Sequence, residues 1–204
     1  MTRDLVMMKV GKRTAGRIIP ASLAHGEPSA SAESATIEAA VLVPLIDRPD
    51  GMTVLLTQRS EHLTDHAGQV SFPGGRVEPG DRGPADTALR EAEEEIGLAP
   101  PRVEVVGCLD ICVTGTGFRV VPVVGLIAAP FDIARDLTLD AFEVAEAFEV
   151  PLAFVLDESH HERRTAIARG ARREFYVLPY QDRFIWGATA RMLVNLHEVL
   201  RGRS

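Results

Sequence analysis

Short apolar runs separated by turn residues dominate the first half of the chain. Ala39–Ile46 and Val54–Thr57 are two such runs, and the turn Asp47-Arg48-Pro49-Asp50-Gly51 between them predicts a β-hairpin. Four further runs of strand length predict additional strands: Val70–Phe72, Val103–Val113, Phe118–Ala128 and Arg173–Leu178.

Helical spacing is clearest from Pro84 to Ile96. Pro84 suits the first turn of a helix, Gly97 suits its C-terminal cap, and Ala85, Leu89, Ala92 and Ile96 form an apolar stripe. Two more helices are predicted at Leu139–Phe148 and Ala188–Leu200. Strands at both ends of the pattern with single helices between them predict an α+β fold rather than a regular βαβ repeat.

The N-terminal region has a different composition. Residues Ala21 to Ala35 are rich in Ser, Ala, Gly and Pro, which is typical of a linker. We therefore expect an N-terminal arm or linker over residues 1–35 and one domain over residues 36–204. A chain of 204 residues is long enough to bury a sizeable core in such a domain.

Charge and composition restrict the kinds of partner that the protein is expected to bind. The formal net charge is −7 and no Lys/Arg run is long enough to follow a phosphate backbone, which argues against nucleic acid but not against a nucleotide-sized ligand. The longest apolar stretch is too short to span a bilayer, so no membrane partner is predicted and a cytoplasmic location is expected. Cys108 and Cys112 are predicted to be buried thiols, since a strand would hold them too far apart to pair.

The charges on the predicted helix are unusual. Glu91, Glu94 and Glu95 occupy positions i, i+3 and i+4, so their carboxylates share one face, and Glu93 adds a charge on the neighbouring face. Each like-charge pair at this spacing costs about 0.2–0.5 kcal/mol. The cluster is either a solvated acidic face or a site for a hard divalent cation, which carboxylate oxygens bind well.

A glycine pair upstream favours the second interpretation. The strand ending in Ser71-Phe72-Pro73-Gly74-Gly75-Arg76 precedes the acidic helix by a few residues. Glycines there allow a phosphate to approach the backbone amides. A glycine pair alone is usually a turn, but next to an acidic helix it predicts a metal–phosphate site and hydrolysis of a pyrophosphate bond.

The same residues resemble the Nudix box. Arg90-Glu91-Ala92-Glu93-Glu94-Glu95-Ile96-Gly97-Leu98 fits its R-E-U-x-E-E-x-G-U half, where U is aliphatic. The upstream half departs from the family pattern G-x5-E-x7-R-E, because Asp81 replaces the glutamate and one extra residue precedes Arg90. The resemblance implies an α/β/α sandwich in which helices flank a mixed sheet.

The departure is shared with the Nudix subgroup that resembles coenzyme A pyrophosphatases. That subgroup has a second signature, L-L-T-x-R-S-x3-R-x3-G-x3-F-P-G-G, which the segment from Leu55 to Gly75 matches except at Thr64, where an arginine is usual. The implied reaction is hydrolysis of coenzyme A or its derivatives to 3′,5′-ADP and (acyl-)4′-phosphopantetheine, with Mg²⁺ or Mn²⁺ as cofactor. A homodimer is compatible with the resemblance.

The box assigns roles residue by residue. The implied metal ligands are Glu91, Glu94, Glu95 and the carbonyl of Gly75. Arg90 would orient a carboxylate and join Glu91 and Glu94 in catalysis, while Asp81 would stand in for the missing glutamate. Substrate contacts are expected from the glycine loop and nearby cations: Arg59, Gly74, Arg76 and Arg119.

Several assignments stay open at the level of sequence. Glu143 and Glu146 are candidates for the general base, although a solvated helix face explains both. His62 and His66 flank Asp65 but lack a third metal ligand, His160 and His161 are typical of a polar loop, and Trp186 is predicted to pack in the core. The alternatives to coenzyme A hydrolysis are a Nudix hydrolase of a nucleotide sugar or dinucleotide, and a Nudix-like binding module without catalysis.

Overall fold

A computed structural model describes residues 2–11, 13–24, 37–64, 66–168 and 171–202. Its helices are α1 (Arg3–Val10), α2 (Pro84–Ile96), α3 (Ile133–Asp136), α4 (Leu152–Val155) and α5 (Gly187–Leu200). Its strands are β1 (Ile18–Pro20), β2 (Ser22–Ala24), β3 (Ile37–Ile46), β4 (Thr53–Arg59), β5 (Val70–Ser71), β6 (Gly74–Arg76), β7 (Val103–Cys108), β8 (Ile111–Val113), β9 (Phe118–Ile127), β10 (Val144–Pro151), β11 (Glu162–Ala168), β12 (Ala171–Tyr180) and β13 (Arg183–Trp186). None of the helices in these ranges is long and apolar enough to cross a membrane.

A mixed sheet forms the centre of the molecule. Its main path runs β1-β8-β9-β3-β4-β10, and β5, β6 and β7 pair with β4, β3 and β9. The β3–β9 and β1–β8 pairs are parallel and the other pairs are antiparallel. The predicted hairpin is confirmed, since Leu45 pairs with Val54 and Ile46 with Thr53.

Helices cover both faces of this sheet. One half of the core joins α2 to the sheet through residues such as Leu42, Leu55 and Ile96. The other half joins α5 and α1 to the opposite face and to a smaller sheet of order β11-β12-β13, with β2 also on β12. The arrangement confirms the expected α+β sandwich. It leaves α2 and its carboxylates on one face, with α5 on the other.

The predicted helix at Leu139–Phe148 is wrong. Residues 141–143 form a turn, and β10 begins at Val144 and pairs with β4 along its whole length. Phe148 and Val150 are buried toward α5 with the two-residue spacing of a strand, while Val144 is buried toward α2, because the register shifts between Val144 and Glu146. The helix-favouring residues Ala and Glu misled the prediction because pairing with a buried neighbour decides strand formation more than local preference does.

The predicted strand Val103–Val113 is divided into β7 and β8 at Asp110. The Asp110 side chain is fully buried and accepts hydrogen bonds from Arg13, Arg17 and Asn195. Its backbone N–H donates to the Asn195 side chain. A carboxylate buried in this way must be surrounded by donors, and the backbone turns away from the strand ladder to meet them.

Residues expected to form an N-terminal arm contribute elements to the domain. Val6 and Val10 of α1 are fully buried, and β1 adds a parallel strand to β8. β2 pairs with β12 in the smaller sheet. Most of the Ser/Ala/Gly/Pro-rich segment, residues 25–36, lies outside the described residues.

Candidate metal and pyrophosphate site

Helix α2 carries the acidic residues and is fixed at both ends. Pro84 occupies its first turn, and Gly97 ends it in the left-handed region at φ 66°. Ala88, Ala92 and Ile96 are fully buried against the sheet. The predicted helix bounds are therefore confirmed.

The glycine pair is packed directly against the carboxylates. The Gly74 N–H donates to Glu95 Oε2 at 3.3 Å, and Gly74 has a φ of 154°. A Cβ on Gly75 would lie 2.5 Å from the Glu91 carboxyl carbon. A side chain at position 75 would collide with Glu91, so Gly75 allows β6 to lie against the helix and the two halves of the Nudix-like motif meet in one place.

Glu95 is the most buried of the acidic residues. The residue is 5% exposed, and burial together with the charges of Glu143 and Glu91 raises its pKa to about 8. The guanidinium of Arg59 and the N–H of Gly74 oppose this shift. Burial also raises the pKa of Glu91, against the hydrogen bond from Arg90. Of the charge cluster noticed in the sequence, Glu95 and Glu91 are therefore desolvated, whereas Glu93 and Glu94 are exposed.

Arg90 is the centre of a hydrogen-bond network around this cluster. Its Nη1 donates to Glu91 at 3.0 Å and to Glu94 at 2.9 Å, while Nε and Nη2 donate to Asp81 at 3.2 Å. The Asp81 side chain is 6% exposed and also accepts from Thr87 Oγ1 at 2.8 Å. The bonds from Arg90 hold the pKa of Asp81 well below its usual range. Asp81 and Arg90 thus form a fixed ion pair beside Glu91.

The fourth carboxylate comes from the turn before β10. Ser60 holds this turn, because its N–H donates to Glu143 O at 2.9 Å and its hydroxyl to Ala141 O at 3.2 Å. The Asp140 N–H donates to Glu95 O at 2.9 Å, which ties the same turn to the end of α2. Glu143 consequently faces Glu95 and Glu91, and its charge acts on both.

Comparison with known proteins identifies the family. The family model of the NUDIX domain matches residues 36–169, which is more than half of the chain. This chain belongs to the Nudix hydrolase family. Proteins called uncharacterized Nudix hydrolase NudL, from Yersinia pestis (strain Pestoides F) and from Yersinia pseudotuberculosis serotype O:1b (strain IP 31758), are 41% identical over 158 residues. The match covers 78% of this chain and 77% of each relative.

The solved structures to which the chain is similar have lower sequence identity. A Caenorhabditis elegans Ap4A hydrolase binary complex is 22% identical with a TM-score of 0.47, covering 56% of this chain and 80% of that chain. The NUDIX domain of Shewanella oneidensis NrtR complexed with ADP ribose is 23% identical with a TM-score of 0.45, covering 64% of this chain and 82% of that chain.

Nudix hydrolases use divalent metal ions, and the carboxylates of α2 and of the turn before β10 fit one in chemical type. Glu91, Glu95 and Glu143 offer hard oxygen ligands, and a cation among them would offset the repulsion that raises the pKa of Glu95. In the described ranges, however, no three His, Cys, Asp or Glu side chains converge closely enough to hold a metal as they stand. Glu94 is bonded to Arg90 instead.

The cations expected to contact substrate differ in their surroundings. Arg59 lies beside Glu95, and its buried Nε makes no hydrogen bond within the described part of the chain. Arg76 stacks on the Phe118 ring at 5.5 Å, with its carbonyl accepting from Arg90. Arg119 pairs with the exposed carboxylate of Glu38 at 3.1 Å. Of these three cations, Arg59 is the one whose charge acts on Glu95. Glu95 lies with Glu91 and Glu143 in a group of carboxylates that we call the acidic centre.

The two candidate bases are on different faces of the sheet. Glu143 faces the acidic helix, whereas Glu146 accepts two hydrogen bonds from Arg183 Nη2, at 2.7 and 2.8 Å, on the face toward α5. Glu146 therefore points from β10 to the face of the sheet opposite the acidic helix. The incorrect helix prediction had explained each of them as part of a solvated helix face.

Two contributors to the site were missed in the sequence. Thr87 bonds Asp81, and Ser60 holds the turn that carries Glu143. Ser60 lies inside the second signature, which was a usable signal. Thr87 lies on the helix, six residues after Asp81 in the chain. This spacing matches no known motif, so the contact could not be inferred from the sequence.

The remaining polar candidates have local partners. His62 contacts the Phe142 ring at 4.9 Å, and His66 Nδ1 lies 2.9 Å from Gln69 Oε1; Asp65 lies outside the described residues. His160 and His161 bond the carbonyls at the end of α4. Trp186 was predicted to pack in the core, and this is wrong: it ends β13 and is 39% exposed.

Proposed function

We propose that this Nudix protein hydrolyses the pyrophosphate bond of coenzyme A or its derivatives, releasing 3′,5′-ADP and (acyl-)4′-phosphopantetheine, with Mg²⁺ or Mn²⁺ as cofactor. The observation that carries the proposal is the close packing of the second signature on the acidic helix. The signature ends at Gly74 and Gly75, which lie against Glu95 and Glu91. Substrate recognition and the acidic centre are thus one continuous structure.

In this proposal the acidic residues hold the metal. Glu91, Glu94, Glu95 and the Gly75 carbonyl would hold the ion, which would supply charge neutralisation at the diphosphate and a water of lowered pKa. Arg90 orients Glu91 and Glu94 by charge-assisted hydrogen bonds, and its own position is set by Asp81.

Glu143 is the proposed general base. It is a partly buried carboxylate that faces the same space as Glu91 and Glu95, on a different element. Because its turn is fixed by Ser60, it is held ready to accept a proton from a water near the acidic centre. Glu146 is excluded from this role by its ion pair with Arg183 on the other face.

The diphosphate itself requires hydrogen-bond donors that are not already bonded to the carboxylates. Arg59 and the backbone at Gly74 are the proposed contacts at the acidic centre, because Arg59 carries a charge with a spare donor there. Arg76 and Arg119 are proposed for the outer part of the nucleotide. The 3′-phosphate of coenzyme A requires one of these cations, as Thr64 replaces the arginine of the signature.

The test is direct assay with a substrate panel. The protein is incubated with Mg²⁺ or Mn²⁺ and coenzyme A, ADP-ribose or a dinucleoside polyphosphate, and products are separated by chromatography. We expect release of 3′,5′-ADP from coenzyme A. If only ADP-ribose or the dinucleoside polyphosphate is hydrolysed, the substrate is a compound of that class and not coenzyme A. If no substrate is hydrolysed, the result favours a binding module without catalysis.

A further inference from the structure

We infer that a cavity on the face of the sheet opposite the acidic helix binds the uncharged, amide-bearing arm of the substrate. The inference rests on the proposed function and names where the pantetheine half of coenzyme A binds. The cavity has a volume of about 490 Å³. Its principal walls are the side chains of Gln58, Gln69, Glu146, Arg183, Phe184 and Trp186.

The cavity lining includes Gln58, the residue that precedes Arg59 in the chain. Leu55 belongs to the half of the core under α2, and Leu56 belongs to the half under α5. Continued alternation along β4 places Arg59 toward the acidic helix and Gln58 toward the cavity. The Cα atoms of these two residues are about 3.8 Å apart. To enter the cavity, an arm attached to a diphosphate beside Arg59 would have to cross from one face of the sheet to the other at the end of β4.

The charges of the cavity exclude a phosphate. Arg183 is the one cation of the lining, and it is bonded to Glu146 and, at 2.9 Å, to Asp182. One guanidinium with two carboxylates leaves the cavity with a net negative charge. An anionic group would be repelled there, so the 3′-phosphate and the diphosphate belong on the other face.

The remaining groups suit a neutral polar chain. The Gln58 amide makes no side-chain hydrogen bond within the described ranges, so it can donate to and accept from a ligand amide. Phe184 and Trp186 are 44% and 39% exposed, which leaves aromatic surface for methyl and methylene groups. Pantetheine, with two amides and a dimethyl centre between them, matches both features.

Binding can be observed without turnover, because Trp186 is the only tryptophan of the chain. The intact protein is titrated with pantetheine while tryptophan emission is recorded, and 3′,5′-ADP is titrated separately. We expect a saturable change with pantetheine and none with 3′,5′-ADP. This readout does not depend on catalysis, so it separates failure of the cavity from failure of the proposed function.

Kinetics give the deciding comparison. Gln58→Leu should raise the KM for coenzyme A by about 5- to 10-fold, the loss of roughly one good hydrogen bond, with kcat within about twofold. Ile167→Ala, which removes a side chain 82% exposed on β11, is the matched control and should change neither constant. An unchanged KM in Gln58→Leu, with coenzyme A still hydrolysed, would overturn the inference and leave the proposed function standing.

Discussion

At the scale of single residues, the site depends on how differently four neighbouring glutamates are placed. Glu95 is nearly buried, Glu91 is half-buried against Gly75, Glu94 binds Arg90 at the surface and Glu93 is exposed. The helical period, readable from the sequence, accounts for this division. The sequence named Glu143 as a candidate base but did not predict its position beside Glu95 and Glu91, because that position depends on the hydrogen bonds from Ser60.

Glu95→Gln should lower kcat by more than about 100-fold, which exceeds the 10- to 100-fold loss typical of residues around a metal's direct ligands. Its melting temperature should be unchanged or higher, because the amide replaces a carboxyl group whose ionisation is disfavoured in the fold by burial and by the charges of Glu143 and Glu91. Steady-state kinetics with calorimetry would measure both. Glu93→Gln, a change on the exposed face of the same turn, should leave kcat unaltered. Full turnover by Glu95→Gln would refute its assignment as a metal ligand.

A second prediction at this scale concerns the thiols. Burial raises the pKa of Cys112 to about 12 and also raises the pKa of Cys108. Thiolates are the reactive form, so both residues should react slowly with iodoacetamide at pH 8 in the folded protein and rapidly in denaturant. Mass spectrometry of the labelled chain would measure each rate. Rapid labelling of folded Cys112 would contradict its burial.

At the scale of elements, the close approach of β6 to α2 defines the site. The sequence predicted both elements and the glycines between them. It did not predict which glycine avoids a clash with the backbone of a neighbouring strand and which avoids a clash with a carboxylate, because that depends on the atoms that a Cβ at each position would meet. For Gly74 it would meet the backbone of Ala40 and Val41 at 2.4 and 2.5 Å, and for Gly75 the movable end of Glu91.

The two glycines should therefore respond differently to alanine. Gly74→Ala should lower the free energy of unfolding by about 3 kcal/mol, because neither the backbone of β3 nor a φ of 154° accommodates the methyl group. Gly75→Ala should cost about 1 kcal/mol but reduce kcat more than about 10-fold, since Glu91 must swing away. Urea unfolding and kinetics on both variants would show the contrast. Equal loss of stability in both would contradict it.

At the scale of the whole molecule, the sequence predicted the class of fold, the hairpin, α2 and α5. It failed where long-range pairing decides the outcome. β10 is a strand because it lies along β4, and the three residues of β1 form a strand because β8 is available beside them. The cavity behind β4 was equally hidden, since its walls come from β4, β10, β13 and the loop after β4.

The Asp110 network should make stability depend on acid pH. Burial alone would raise the pKa of Asp110, but hydrogen bonds from Asn195 and Arg17 and the charges of Arg17 and Arg13 lower it overall. A lowered pKa means that the stabilisation is complete above the unfolded value near 4 and is lost as pH falls toward the folded value. Asp110→Asn should lower the free energy of unfolding at pH 7 by about 2–3 kcal/mol and flatten its decline below pH 4.

Urea unfolding at pH 3 to 7 would measure this dependence. Asp50→Asn, at an exposed turn, is the control and should follow the wild-type curve. An Asp110→Asn curve parallel to the wild type below pH 4 would contradict the role of the buried carboxylate.

The same carboxylate has a consequence for the order in which the chain assembles during synthesis. Arg13 and Arg17 emerge from the ribosome long before Asp110, and Asn195 emerges long after it. The N-terminal segment cannot complete its docking until α5 has been made, so it should close the domain last. A nascent chain arrested before Gly187 should leave residues 13–20 open to protease, while the released protein protects them.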